Sequence, residues 1–307
     1  MNVNHLPNFF IVGAPKCGTT ALSEYLRTHP DIFIARVKEL HYFCTDFNES
    51  FPRPKTLDQY LRHFEKAKGK TAIGEASPWY LYSKCALKKL YQFNPKAHFI
   101  AMVRNPIEMV PSLHRALLNS YAEDQKSLSA AWRLQSIRRN GKNIPPYCLE
   151  ESMLQYKDVC KLAPQIENFF SVIPAEQRMV IVFDDLKSKT LTTYKQVLSF
   201  LNLKYDGRLY FPIINKEFHW RFEGLSKLAQ APSEKINIVE KFFLGLIKRK
   251  SIGLHYMLYR FNNKYNRISK PKKSIPADLR REFQTIFSND VKRLSQLLCR
   301  DLTGWLN

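Results

Sequence analysis

The eight residues Gly13-Ala14-Pro15-Lys16-Cys17-Gly18-Thr19-Thr20 follow directly on the apolar run Phe9-Phe10-Ile11-Val12. That order is a buried strand, a tight loop and a helix start, in which backbone N–H groups at the helix N-terminus face an anion. Gly13 and Gly18 stand at the spacing of a nucleoside-triphosphate loop, but the residue after the second glycine is Thr19, where such a loop carries its lysine. The lysine comes earlier, at Lys16. The chain can therefore hold an anion at a helix N-terminus, with its cation placed for a leaving group other than a γ-phosphate. The plainer alternative is a strand-to-helix turn with a solvated lysine. Proline, lysine and two threonines in this order after an apolar run favour the anion loop.

The 307 residues are enough to bury a large core, and they carry a formal net charge of +21. A balance this basic favours anionic partners: nucleotides, sulfated or phosphorylated substrates, anionic lipid or nucleic acid. Six cysteines occur without Cys-x-x-Cys spacing, which predicts dispersed reduced thiols and no zinc site. The segment Met1 to Pro7 lacks a basic start and a long apolar core, and no apolar run approaches the roughly 18 residues of a membrane span. A cytoplasmic protein is expected.

Four apolar segments predict buried parallel strands: Phe9 to Val12, Ala72 to Gly74, His98 to Val103 and Met179 to Phe183. Helical patterns lie between them, from Gly18 to His29, Leu57 to Ala67 and Cys85 to Phe93, then from Pro106 to Tyr121 with Pro111 inside. Residues 126–171 are expected to be mostly helical around Pro145-Pro146, and further helices to cover Thr190 to Leu201 and Ala277 to Leu298. The expected fold is α/β: a parallel sheet flanked by helices, a P-loop-like phosphate-binding loop after the first strand, and helical additions in the second half. From Lys241 to Ala277 there is no acidic residue, and basic and aromatic side chains interleave. That stretch predicts either a solvated surface or mobile segment, or a contact for an anionic surface, membrane or nucleic acid.

Further residues carry candidate chemistry. Arg104 ends the third predicted strand, where open α/β sheets bind ligands, and Ser112 lies eight residues on in the next helix. The two could clamp a second phosphate, distinct from the one in the loop. Glu39 and His41 are both able to act as a general base, and in an extended segment they share a face. Gly74 to Tyr80 follows the second predicted strand and so borders the same cleft, or only turns the chain. Asp184-Asp185 after the fourth predicted strand could hold magnesium, which leaves a small-molecule kinase with a degenerate loop as an alternative.

Together these residues resemble the sulfotransferases that use 3′-phosphoadenosine 5′-phosphosulfate (PAPS), in their carbohydrate-type and bacterial branch. The similarity is specific over residues 8–112 and 178–203, and Leu298 to Leu306 is similar to the end of bacterial members. It implies that Pro15, Lys16, Cys17, Gly18, Thr19 and Thr20 bind the 5′-phosphosulfate, that Arg104 and Ser112 bind the 3′-phosphate, and that Glu39, beside Lys38, is the base. Gly74-Glu75-Ala76-Ser77-Pro78-Trp79-Tyr80 matches a further family signature, except that many carbohydrate-type members carry lysine where Ala76 stands. Asn215 and Arg221 are candidates for a basic loop over the 3′-phosphate. The resemblance further implies one catalytic domain over 1–307, PAPS as co-substrate without a required metal, and a small-molecule or glycan acceptor. Peripheral membrane contact would run through 241–277, and no nucleic acid is expected.

Overall fold

The computed structural model describes residues 6–214, 219–222, 224, 226, 266–268 and 274–307. It divides into two compact units. The first holds Met1–Val110, Lys157–Asn215 and Arg280–Asn307, and the second Pro111–Tyr156 and Lys216–Leu279.

The first unit is built on five parallel strands: β1 (Phe9–Gly13), β2 (Ile32–Ile34), β3 (Ala72–Ala76), β4 (His98–Val103) and β5 (Arg178–Val182). Their spatial order is β2-β3-β1-β4-β5. Phe9 pairs with Gly74 on one side and His98 on the other, so β1 is central. The chain first leaves β1 toward β3 and returns on its other side to β4. The carboxyl end of β1 is thus a topological switch point, the place where open α/β sheets bind ligands. Every residue of β1 and β3 is buried, and all of them are apolar or glycine except Glu75. Gly74 is required where it stands, because a Cβ there would lie 2.1 Å from Phe9 Cζ.

Helix α1 (Thr19–Arg27) starts from the loop after β1 and buries Leu22, Tyr25 and Leu26 on one face. A short helix α2 (Leu57–Leu61) is capped by the Thr56 side chain and continues as a 3₁₀ turn to Ala67. Helix α3 (Ala86–Phe93) leads into β4, and helix α4 (Pro106–Asn119) leaves it with proline at its first position. Helices Ala163–Val172 and Thr190–Phe200 flank β5, and the C-terminal helix Ala277–Leu297 buries Phe283, Phe287, Val291 and Leu294.

The expected architecture holds, with three differences. The strand β2 went unforeseen. It is three residues long, and its apolar run ends at Ala35-Arg36, too short for a period to register. Phe183 opens a short helix, Phe183–Ser188, instead of ending β5, since the ladder with β4 stops at Val103–Val182. Over 126–171 the helices are short pieces, Leu128–Arg133, Gln135–Arg139, Tyr156–Cys160 and Ala163–Val172, with a 3₁₀ turn at Glu151–Leu154.

In the second unit the Arg138 guanidinium donates to both oxygens of Glu123, at 2.5 and 2.7 Å, with both side chains fully buried. The Tyr156 hydroxyl adds a third donor at 2.6 Å. A two-stranded antiparallel ladder pairs His219–Trp220 with Arg267–Ile268, and Asn266 closes it on the backbone of Phe222. No described helix is long and apolar enough to cross a membrane. All six cysteines are free thiols.

Candidate active site

The loop after β1 combines three features that suit an anion. Gly18 sits at the N-cap of α1 with φ 94°, a left-handed conformation that favours glycine, and a Cβ there would lie 2.7 Å from the Phe183 ring. No side chain caps α1 and no acidic residue lies in its first turn, so its leading N–H groups keep their capacity for an external acceptor. Lys16, at the loop apex, also has positive φ, 65°. The Ala14 N–H donates to Met102 O at 2.8 Å, which ties the loop to β4. The Cys17 thiol is packed beneath, 3.8 Å from Met109 Sδ. Burial pushes it up to about 12, against the pull of the Arg104 and Lys16 charges, so it stays protonated.

Arg104 stands where β4 ends, and it backs the loop. Its guanidinium donates to Lys16 O at 3.2 Å and to Glu108 Oε2 at 2.7 Å, and it lies 4.7 Å over the Phe183 ring. The residue is 7% exposed, and its Nε has no partner among the described residues. The pairing with Glu108 shows that this edge of the guanidinium takes an oxyanion.

The Glu39 segment reaches the same end of the sheet. The Glu39 N–H donates to Ala76 O, at the end of β3, at 3.1 Å. Lys38 Nζ donates to Thr20 Oγ1 at 2.5 Å and lies 3.8 Å from Glu39 Oε1. Glu39 and His41 do not share a face. Both have positive φ, 64° and 52°, so the segment is not extended. Glu39 is exposed, while His41 is buried against Phe51 and Tyr80. Burial pulls the His41 ring down to about 4, Lys38 adding to the effect and Glu39 opposing it, so the imidazole is neutral at pH 7.

Glu75 turns out to be a buried hub. It accepts from Ser77 Oγ at 2.5 Å, Tyr60 OH at 2.6 Å and Tyr80 OH at 2.8 Å. Ser77 Oγ in turn accepts the His41 N–H at 3.0 Å. Three hydroxyls thus fix the Glu75 carboxyl, and one of them, Ser77, also holds the His41 N–H. Burial raises the Glu75 pKa and the hydroxyl hydrogen bonds oppose that. Asp184 accepts the Trp305 indole N–H at 2.8 Å, and Asp185 pairs with Arg300. Both carboxylates therefore anchor the C-terminus, and Trp305 O holds Asn105, next to Arg104, at 3.0 Å. Among the described residues no three His, Cys, Asp or Glu side chains gather as a metal site.

Two candidates belong to the second unit. Ser112 is buried in α4, and Arg221 is exposed with its N–H on Asn266 O at 2.9 Å. Asn215 lies outside the described residues, as does the basic stretch 241–277 apart from 266–268 and 274–277.

A family model described as a sulfotransferase domain matches residues 6–292. Carbohydrate sulfotransferase 15 of Mus musculus is 26% identical over 249 residues, covering 64% of this chain and 44% of that protein. Heparan sulfate glucosamine 3-O-sulfotransferase 6 of Mus musculus is 35% identical over 217 residues, covering 67% of this chain and 56% of that protein. The membrane-associated sulfotransferase kil1 of Dictyostelium discoideum is 27% identical over 165 residues, 53% of this chain and 33% of that protein. The chain thus spans between a third and just over half of the length of these relatives. The crystal structure of a sulfotransferase from Alicyclobacillus acidocaldarius superposes with a TM-score of 0.71 at 26% identity, over 98% of this chain and 99% of that one.

Proposed function

The chain belongs to the sulfotransferase domain family, and from that premise we propose that it moves a sulfuryl group from PAPS to an acceptor hydroxyl or amine and releases adenosine 3′,5′-bisphosphate. The observation that carries this is the loop itself: an uncapped helix N-terminus at the sheet's switch point, with a lysine at its apex and not after its second glycine. Backbone N–H groups and the hydroxyls of Thr19 and Thr20 suit a 5′-phosphosulfate. Arg104 and Ser112 take the 3′-phosphate, and Arg221 is a further contact to it.

In the step, an acceptor oxygen or nitrogen attacks sulfur in line while Glu39 takes its proton. The bond from sulfur to the bridging oxygen breaks, its electron pair stays on the 5′-phosphate, and Lys16 neutralises that charge. Glu39 is favoured over His41 as base because it is exposed at the site while His41 is packed and neutral. The proposal includes no divalent ion: PAPS carries no γ-phosphate, and Asp184 and Asp185 are engaged by Trp305 and Arg300. The acceptor proposed is a glycan or small molecule, in line with the carbohydrate and heparan sulfate enzymes among the relatives. The proposal takes 1–307 as one catalytic domain and places it in the cytoplasm, where six free thiols are at home, with 241–277 as a surface for peripheral membrane contact.

Arg104→Ala tests the two-ended grip on the nucleotide. It is expected to weaken adenosine 3′,5′-bisphosphate about 10- to 100-fold by calorimetry, the worth of a charge-assisted hydrogen bond. Adenosine 5′-phosphate, which lacks the 3′ group, should lose less, only what the Arg104 hydrogen bond to the Lys16 carbonyl contributes to the loop. Equal losses for both nucleotides would remove Arg104 from the 3′-phosphate.

A further inference from the structure

The Lys38 side chain touches both the anion loop and the candidate base. Its ammonium donates to Thr20 Oγ1 at 2.5 Å and stands 3.8 Å from Glu39 Oε1. These are its contacts among the described residues, and an ammonium carries three N–H donors. The side chain is only 20% exposed, so the charge is drawn out of bulk water and held at the site. A lysine donates and cannot accept, so Thr20 Oγ1 is the acceptor and its own proton points elsewhere. The ammonium therefore both offers its remaining donors and strengthens the Thr20 hydroxyl as a donor.

The position is informative because of what flanks it. Thr20 belongs to the loop that receives the leaving phosphate, and Glu39 takes the proton of the attacking atom. In an in-line transfer the group between leaving oxygen and attacking atom is the one transferred. We propose that Lys38 is a second catalytic cation, whose ammonium hydrogen-bonds the oxygens of the sulfuryl group as it passes from phosphate to acceptor. This rests on the PAPS reading of the site. No co-reactant is added: the acceptor proton goes to Glu39, the electron pair of the broken bond goes to the 5′-phosphate, and Lys38 stays protonated throughout. Burial is the main cause that lowers the pKa of Lys38; Glu39 and Glu24 oppose it, and Lys16 and Arg27 add smaller lowering contributions. The residue sits where Ala76 offers no cation of its own: the Ala76 carbonyl holds the Glu39 N–H at 3.1 Å, and its side chain ends at Cβ.

The test uses two nucleotides that differ by the sulfuryl group. Calorimetric titrations of the full chain with PAPS and with adenosine 3′,5′-bisphosphate are run on unmodified protein, Lys38→Met and Lys38→Arg, with thermal melting as the control for folding. Lys38→Met is expected to weaken PAPS about 10- to 100-fold, as a charge-assisted hydrogen bond is worth, and to leave the bisphosphate within about threefold. Lys38→Arg, which keeps the charge, is expected to recover most of the PAPS affinity. If Lys38→Met melts early, Lys38→Gln takes its place with the same expectation. Equal losses for both nucleotides would make Lys38 a prop of the loop, and no loss for either would take it away from the sulfuryl group. Either result overturns the proposal. Unmodified protein that binds neither nucleotide would overturn the PAPS reading beneath it.

Discussion

Lys16→Ala lowers the turnover of sulfuryl transfer by about 10²- to 10³-fold, or about 3–4 kcal/mol of barrier, in the range found when a stabiliser of developing charge is removed. The size follows from where the charge appears. As the bond to sulfur breaks, negative charge gathers on the bridging oxygen of the 5′-phosphate, and Lys16 is the loop's only cationic side chain. The apex of the loop is held from outside by Arg104, which donates to the Lys16 carbonyl, and by Met102, which accepts from Ala14. The backbone cradle thus survives the substitution, and binding of the bisphosphate falls less than the rate. Steady-state release of adenosine 3′,5′-bisphosphate from PAPS, compared with calorimetry of the same variant, separates the two. A variant that keeps its turnover would leave the leaving group without the proposed cation.

Arg138→Met has the largest expected effect on stability. It strands the Glu123 carboxylate, which is fully buried, and breaking one side of such a pair costs about 3–5 kcal/mol. The loss appears as a lower urea midpoint for the unit that carries Glu123 and Tyr156. Acid should mimic it. Burial alone would raise the Glu123 carboxyl, but hydrogen bonds from Arg138, Tyr156 and the Gln125 N–H, together with the Arg138 charge, hold it below its ordinary 4.5. A group whose folded pKa is depressed contributes its stability above the unfolded value and loses it as pH falls. The pair's contribution is therefore intact above pH 4.5 and drains away below it. The Arg138→Met/Glu123→Leu double variant, with neither charge, should lack that acid-sensitive part. An equal acid response in the double variant would assign the sensitivity to other groups.

The central strands and the strand-loop-helix turn after β1 were legible because their signals are local. Phe9 to Val12 and His98 to Val103 are continuous apolar runs, and Gly18 is demanded by a left-handed N-cap that a chain reader can anticipate from the strand before it and the helix after it. What stayed hidden depends on partners distant in sequence. Glu75 is a hub only because Tyr60 arrives from α2 and the turn after β3 folds Ser77 and Tyr80 back onto it. His41 is buried only because Phe51 and Tyr80 close over it, and Asp184 and Asp185 meet Trp305 and Arg300 more than a hundred residues on. The motif Arg300-Asp301-Leu302-Thr303-Gly304-Trp305-Leu306 was the available signal for that anchor, since an arginine and a tryptophan at a chain end suit a pair of carboxylates. The turn at Glu39 and His41 was missed for a different reason: two left-handed residues with one residue between them have no signature in composition, and the acceptors that hold their N–H groups, Ala76 O and Ser77 Oγ, come from β3 and its continuation.

The most direct test of the account is a titration of the unmodified protein, in buffer with a chelator, with adenosine 3′,5′-bisphosphate, followed by ATP with excess magnesium as competitor. The account predicts saturable binding of the bisphosphate without any divalent ion, and no displacement by magnesium-ATP. Binding of magnesium-ATP at the loop, with the bisphosphate unable to compete, would contradict it.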